Sequence, residues 1–235
     1  MADRQKTGRG AKQALRLLIF LSGLVILAAG LTLNTKTTLG VSPMISVAYS
    51  ASEILGVSFA NATFCWYGIL ILIQIVLHLI KRPPELKKKL AADVLQFAVS
   101  LISTRFMELF GNVIPVFETA YPDSFAGSLP GRLLLLALAI LLTGVGASMS
   151  LFTRIVPNPA DGFVQGVSDF TGIPTGSTKN LVDLVCVILT VTMSLIFAGK
   201  VIGIGIGTLA ALVGVGRVVA VFESLFGDKI KKLTE

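Results

Sequence analysis

The chain has 235 residues, of which 54% are hydrophobic and only 14% charged, with a mean hydropathy of +0.84; soluble domains carry about a quarter charged residues. That composition excludes a water-soluble fold. The formal net charge of +7 does not point to nucleic acid, because the basic residues form short clusters beside apolar runs instead of one stripe.

In chain order, residues 1–13 read as a cytoplasmic arm. The apolar run after them continues beyond the about 15 residues of a signal-peptide core and has no small-residue cleavage site, so it is expected to stay as the first span. Six membrane-spanning helices are expected at 14–33, 62–80, 90–110, 132–151, 180–198 and 207–226, each long enough to cross with modest tilt. The expected fold is therefore all-α and polytopic.

Two segments fit neither span nor solvated loop: residues 34–61 and residues 152–179. They are equivalent. Sliding the chain against itself by 116 positions without a gap aligns Gly30 with Gly146, Pro43 with Pro159, Ser52 with Ser168, Gly56 with Gly172, Phe106 with Phe222, and Leu109-Phe110-Gly111 with Leu225-Phe226-Gly227. A constant register over that distance indicates a duplication, with a first membrane repeat at 14–119, an external linker at 120–129, a second repeat at 130–227 and a cytoplasmic tail at 228–235.

Charge sets the orientation of the halves. Residues 1–16 hold five Lys or Arg, 81–89 hold five more, and Lys229, Lys231 and Lys232 follow the last span, while 111–130 has Glu118 and Asp123 but no Lys or Arg. The positive-inside rule then puts both termini and 81–89 in the cytoplasm. With three spans per half, the repeats are inverted.

Each intervening segment carries a helix start. Ser42-Pro43 and Asn158-Pro159 place an N-cap former before a proline that loses nothing at the first helical position. Gly56 and Gly172 stand where left-handed C-caps are expected. Short helices over 43–55 and 159–171 follow, about 20 Å long and too short to cross comfortably; full crossing is the alternative, with eight spans and parallel halves. Read as re-entrant, each is preceded by nine extended residues, and their N-termini meet mid-membrane with free N–H groups and positive dipole ends. Such a pocket suits an anionic or zwitterionic solute.

The candidate substrate-binding residues are Asn34, Gly40, Ser42, Ser46, Asn158, Asp161 and Gly162, the glycines allowing close backbone approach. Helix capping is the alternative role for Ser42 and Asn158, and a carboxylate at Asp161 would repel an anion. Glu53 and Asp169, aligned acids at the outer helix ends, and the pair Lys179 and Asp183 are candidates for gating or proton relay; an interfacial acid facing water is the alternative for the first two. Arg105 and Glu108 also qualify unless they snorkel to a surface. Cys65 and Cys186 read as packed free thiols, and His78 has no ligand-spaced neighbour, so no metal site is expected. In the last span, Gly207, Ala211 and Gly214 give small-residue spacing for helix packing. Without a Ser-His-Asp set, metal cluster or phosphate loop, neither an enzyme nor a cofactor is expected.

The LGVSPMISVAYSASEILGVSFANAT segment (39–63) and Gly205-Ile206-Gly207-Thr208 resemble the YczE/YyaS/YitT group of bacterial inner-membrane proteins, the latter looking like that group's GxGT after the fifth span. The first half departs from the pattern, with Lys89, Leu90, Ala91 and Ala92 at the aligned positions. The resemblance implies a multi-pass protein of the bacterial cytoplasmic membrane but transfers no substrate. The expected function is a small secondary transporter or channel-like carrier whose partners are the bilayer and a small solute. The alternatives are a membrane accessory protein that scaffolds a biosynthetic or transport complex, or the substrate-binding subunit of a larger importer. A homo-oligomer or a membrane partner is compatible with each.

Overall fold

The computed structural model describes the backbone of residues 2–234 and the side chains of residue 10 and residues 12–227. The side chains of the basic residues within 1–9 and of Lys229, Lys231 and Lys232 lie outside the described residues. Among the described residues the chain forms nine helices and no strand: α1 (Ala2–Lys36), α2 (Pro43–Leu55), α3 (Phe59–Lys81), α4 (Leu86–Val113), α5 (Phe117–Ala120), α6 (Leu129–Phe152), α7 (Pro159–Thr171), α8 (Thr175–Ala198) and α9 (Ile206–Thr234).

Six stretches are long and apolar enough to cross a membrane: Lys12–Lys36, Phe59–Lys81, Leu86–Ala120, Leu129–Phe152, Thr175–Ala198 and Ile206–Gly227. The protein is an all-α, multi-pass membrane protein. Every expected span falls within one of these stretches, and α2 and α7 occupy 43–55 and 159–171 as the proline and glycine signals require.

One local expectation is corrected. Helices α1 and α6 run on to Lys36 and Phe152, so six residues, 37–42 and 153–158, lead into each short helix instead of nine. Asn34, Thr35 and Lys36 are too polar to look like a span. Yet the Thr35 and Thr37 hydroxyls donate to the carbonyls of Thr32 (2.7 Å) and Asn34 (2.8 Å), which satisfies groups the helix end would otherwise leave open.

The duplication is written into the backbone. Thr38 and Arg154, aligned by the 116-residue shift, both adopt left-handed conformations with φ of 58° and 50°, which β-branched and long side chains rarely adopt. The C-cap glycines Gly56 and Gly172 do the same at 66° and 77°, where glycine has no Cβ penalty.

The equivalent helices α1 and α6 run antiparallel along their whole length. Arg16 meets Thr153 at one end, Gly23 meets Gly146, Gly30 meets Ala139, and Arg132 meets Thr37 at the other. Their crossing is backbone against backbone. A Cβ at Gly30 would stand 2.5 Å from Thr143 N, and one at Gly146 would stand 2.4 Å from Leu27 N. Because repeat-related helices oppose each other, the two halves are inverted. The face that bears the start of the first span and the α3–α4 linker is called the terminal face below; the other is the distal face.

The half-helices run parallel to the second span of the opposite repeat unit. Ser46 and Ser50 of α2 bond Thr190 and Ser194 of α8 at 2.7 and 2.6 Å. Gly162 and Gly166 of α7 lie against Gln74 of α3. Pro43 is therefore level with the middle of α8, and Pro159 with the middle of α3. From there α2 climbs to the distal face and α7 to the terminal face, where Lys81 Nζ donates to Phe170 O at 3.2 Å. One core joins the halves at this meeting point, including Leu27, Met44, Ile45, Tyr67, Leu70, Val164 and Cys186.

The symmetry breaks at the last helix of each half. Helices α4 and α9 both pack on the first helix of their own half, α1 and α6, but α4 also packs along α3, and α9 has no comparable contact with α8. Asp93 of α4, buried, bonds Gln74 and His78 of α3; its equivalent on α9 is Leu209, exposed to the apolar surroundings. Polar residues hold helices together in lipid, and leucine does not replace them.

Candidate functional site

The two leads into the half-helices are held by a reciprocal pair of arginines. Arg16 on α1 donates from Nε to Thr153 O (2.5 Å) and from Nη2 to Arg154 O (3.0 Å). Its equivalent on α6, Arg132, donates from Nη1 to Thr38 Oγ1 (2.5 Å) and pairs with Glu118 of α5 at 2.8 Å. Each arginine therefore closes the sharp turn that sends the opposite half's chain back into the bundle, and a charged donor makes a strong bond. Slots for these turns exist because Thr38 and Arg154 accept positive φ.

Between the half-helix starts lies a cavity of about 240 Å³. Its polar wall is Ser42, Tyr67, Asn158, Asp161 and Lys179; Leu27, Leu31, Leu151, Val215 and Val219 form much of the apolar wall. Asn158 is the α7 N-cap, its Oδ1 accepting from Ala160 N at 3.4 Å, while Ser42 makes no side-chain cap bond. Lys179 Nζ donates to Asp183 Oδ2 at 3.0 Å. Asp183 is 2% exposed, and its Oδ1 has no hydrogen-bond partner. Two carboxyl groups, one ammonium and two helix N-termini thus converge in the middle of the bundle.

The sequence-derived candidates separate into groups. Ser42, Asn158, Asp161 and Lys179 line the cavity, and Asp183 stands behind Lys179. Ser46 is bonded to Thr190, and Asn34 is buried in the last turn of α1 with Oδ1 unpartnered; neither lines the cavity. Gly40 does permit a close backbone approach, but to its own chain: at φ 106° it abuts Gly205, and Gly207 N and Val41 N bond Leu39 O and Gly203 O at 2.7 and 2.8 Å. The GxGT turn is the bracket that holds the lead into α2. Gly162 faces Gln96, not the cavity.

The aligned acids sit on opposite faces. Glu53 is exposed and borders two distal clefts of about 230 and 300 Å³ shared with Thr35 and Tyr49. Asp169 borders a terminal-face cavity of about 370 Å³, pairing with Lys89 at 2.5 Å and accepting from Gln165 at 2.7 Å. At the rim, a hydrogen bond from Lys88 (2.7 Å) holds the exposed Glu85 carboxyl below its usual range. Arg105 and Glu108 bond Asn61 and Ser58 near the distal end.

Sequence reasoning missed a second polar cluster. His78, taken there as isolated, places Nδ1 2.7 Å from Asp93 Oδ2, and Gln74 Nε2 donates to Asp93 Oδ1 at 2.5 Å. Gln96, one turn along α4 from Asp93, is fully buried. The signal was present as polar pairs at helical spacing within apolar spans, Gln74 with His78 and Asp93 with Gln96.

The family of unknown function DUF6198 matches residues 14–224, a range that takes in nearly all of the six spans and both half-helices whole. The chain belongs to the DUF6198 family. That match covers both arginine turns, the central cavity and the buried cluster alike. Comparison with curated proteins and with solved structures gives no match. Membership in DUF6198 brings no activity with it, so function is argued from the geometry.

Proposed function

We propose that the protein is a small secondary carrier for a zwitterionic organic solute, which it binds between the two half-helix starts and exposes alternately to the two faces. The observation that carries this reading is the central cavity, where the inverted halves contribute matching helix N-termini beside Asp161, Lys179 and Asp183. Carriers built from inverted repeats place their sites at such interrupted helices. Of the anionic and zwitterionic solutes the sequence admits, the zwitterion fits better. Helix N-termini and Lys179 suit a carboxylate, while Asp161 suits an ammonium group.

On this reading the terminal face is cytoplasmic, since the basic residues gather there, and the membrane is the bacterial inner membrane, as the sequence's resemblance to the YczE/YyaS/YitT group implies. Transport, not chemistry on the solute, is the activity. Counterflow in proteoliposomes across a panel of amino-acid-like zwitterions and matched simple anions tests it. At least one zwitterion is expected to exchange, with Asp161→Asn and Lys179→Met each lowering the rate tenfold or more. A folded protein that exchanges nothing in the panel, and copurifies with a stoichiometric partner instead, favours the scaffold or subunit reading.

A further inference from the structure

We propose that His78 and Asp93, with Gln74 and Gln96 beneath α7, form a proton-binding site that couples protons entering from the terminal-face cavity to the position of α7. The inference rests on the carrier reading, because α7 is the half-helix that brings Asn158 and Asp161 to the solute.

The cluster is buried yet connected. His78 is 6% exposed, Gln74 3%, Asp93 1% and Gln96 0%, and His78 also borders the terminal-face cavity together with Lys81, Arg82, Lys89 and Asp169. An ionisable pair inside an apolar span is costly and is retained where it has work to do. Protons can reach the imidazole from that cavity without crossing the solute site.

Protonation changes the charge of the pair. With a proton on both imidazole nitrogens, imidazolium and carboxylate are together neutral; after the proton leaves to the cavity, one negative charge remains on Asp93. The remaining charge needs donors. Gln74 Nε2 already bonds Asp93, whereas Gln96 Nε2 has no partner and lies one helical turn away. Turning the Gln96 amide toward Asp93 would satisfy both.

That amide is what α7 rests on. A Cβ at Gly162 would stand 2.5 Å from Gln96 Nε2 and 3.0 Å from Gln74 Oε1, and one at Gly166 would stand 2.9 Å from Gln74 Cγ. The two glycines expose bare backbone to the cluster, so reorienting Gln96 reshapes the seat of the half-helix. The unpartnered Gln74 Oε1 and Gln96 Oε1 show a network that is incomplete in this arrangement. Other charged groups near His78 are Lys81 on α3, Arg82 in the linker, Lys89 on α4 and Asp169 on α7, the last two paired with each other. On α2, which also packs on α3, Tyr49 and Glu53 lie toward the distal face.

His78 is the only histidine in the chain, so its imidazole 15N resonances in nanodiscs report this site alone. Neutral and charged imidazole signals are expected to interchange reversibly with pH, with Asp93→Asn lowering the charged signal at least fivefold. In liposomes, a proton gradient should speed uptake of a transported zwitterion severalfold in the intact protein and not in Asp93→Asn or His78→Gln. Signals that ignore pH, or stimulation that survives both substitutions, overturn the proposal. If no zwitterion is transported, the carrier reading fails separately, and Gly162→Ala reads the coupling without cargo. Wedged against Gln96, it should move the imidazole interchange by at least half a pH unit, and an unmoved interchange overturns the coupling.

Discussion

The two half-helices have the same length and the same proline start, yet they are seated differently. Helix α2 is fastened to α8 by two hydroxyl pairs, Ser46 with Thr190 and Ser50 with Ser194. At the aligned positions α7 carries Gly162 and Gly166, and the facing helix α3 carries Gln74 and His78. A duplication that began with two like seats now has one closed by short neutral bonds and one built around an ionisable pair. The lead into α2 is also bracketed by the GxGT turn, while the aligned Lys89 reaches Asp169 instead. Helix α2 is thus the fixed half and α7 the responsive one.

The largest effect expected from breaking this comparison comes from filling the α7 seat. Gly162→Val drives side-chain atoms into Gln96 and should destabilise the fold by about 1 to 3 kcal/mol, the cost of overpacking a full core. Thermal unfolding in detergent measures it. Ser46→Val, on the side where a side chain already fits, should cost less; equal losses would show that the seats do not differ.

Next come the arginine turns, equivalent in place but not in partners. Arg132→Gln removes bonds to Thr38 and Glu118 and should cost about 2 kcal/mol, within the range for hydrogen bonds to charged groups. Arg16→Gln, which lacks a carboxylate partner, should cost less. Unfolding curves of the single and double variants would show near-additive losses, since the two turns lie at opposite faces.

The smallest effect concerns the hydroxyl pairs. A double-mutant cycle of Ser46→Ala and Thr190→Val should give a coupling of about 0.6 kcal/mol, typical of interhelical hydrogen bonds in membranes. Both hydroxyls keep local bonds, to Pro43 O and Cys186 O, and this limits the loss. A coupling above about 2 kcal/mol would mean α2 is held by more than these contacts.

Much of this architecture is legible in the sequence because it depends on local signals. Proline and glycine mark both half-helices, and the 116-residue register with the basic clusters marks the inversion. Ser42, Asn158 and Asp161 were readable as cavity residues because helix N-termini have a fixed chemistry, whereas Lys179 was legible only as a gating or relay partner of Asp183. The buried cluster was harder to read, because its two polar pairs, Gln74 with His78 and Asp93 with Gln96, lie on different helices and only the fold brings them together. Gly40 misled in the opposite way: its need for close approach is real, but the approaching group is the chain's own Gly205. Arg16 and Arg132 align in the same register, so their reciprocal role was visible in principle once the turns they close were known.

Alternating exposure of a central site is tested most directly by cysteine accessibility on a background lacking Cys65 and Cys186. With a membrane-impermeant thiol reagent applied from either side, Glu53→Cys should react only from the distal face and Asp169→Cys only from the terminal face. Asn158→Cys, at the meeting point of the half-helices, should react from both, with solute shielding it. Labelling of position 158 from a single side under every condition would contradict the account.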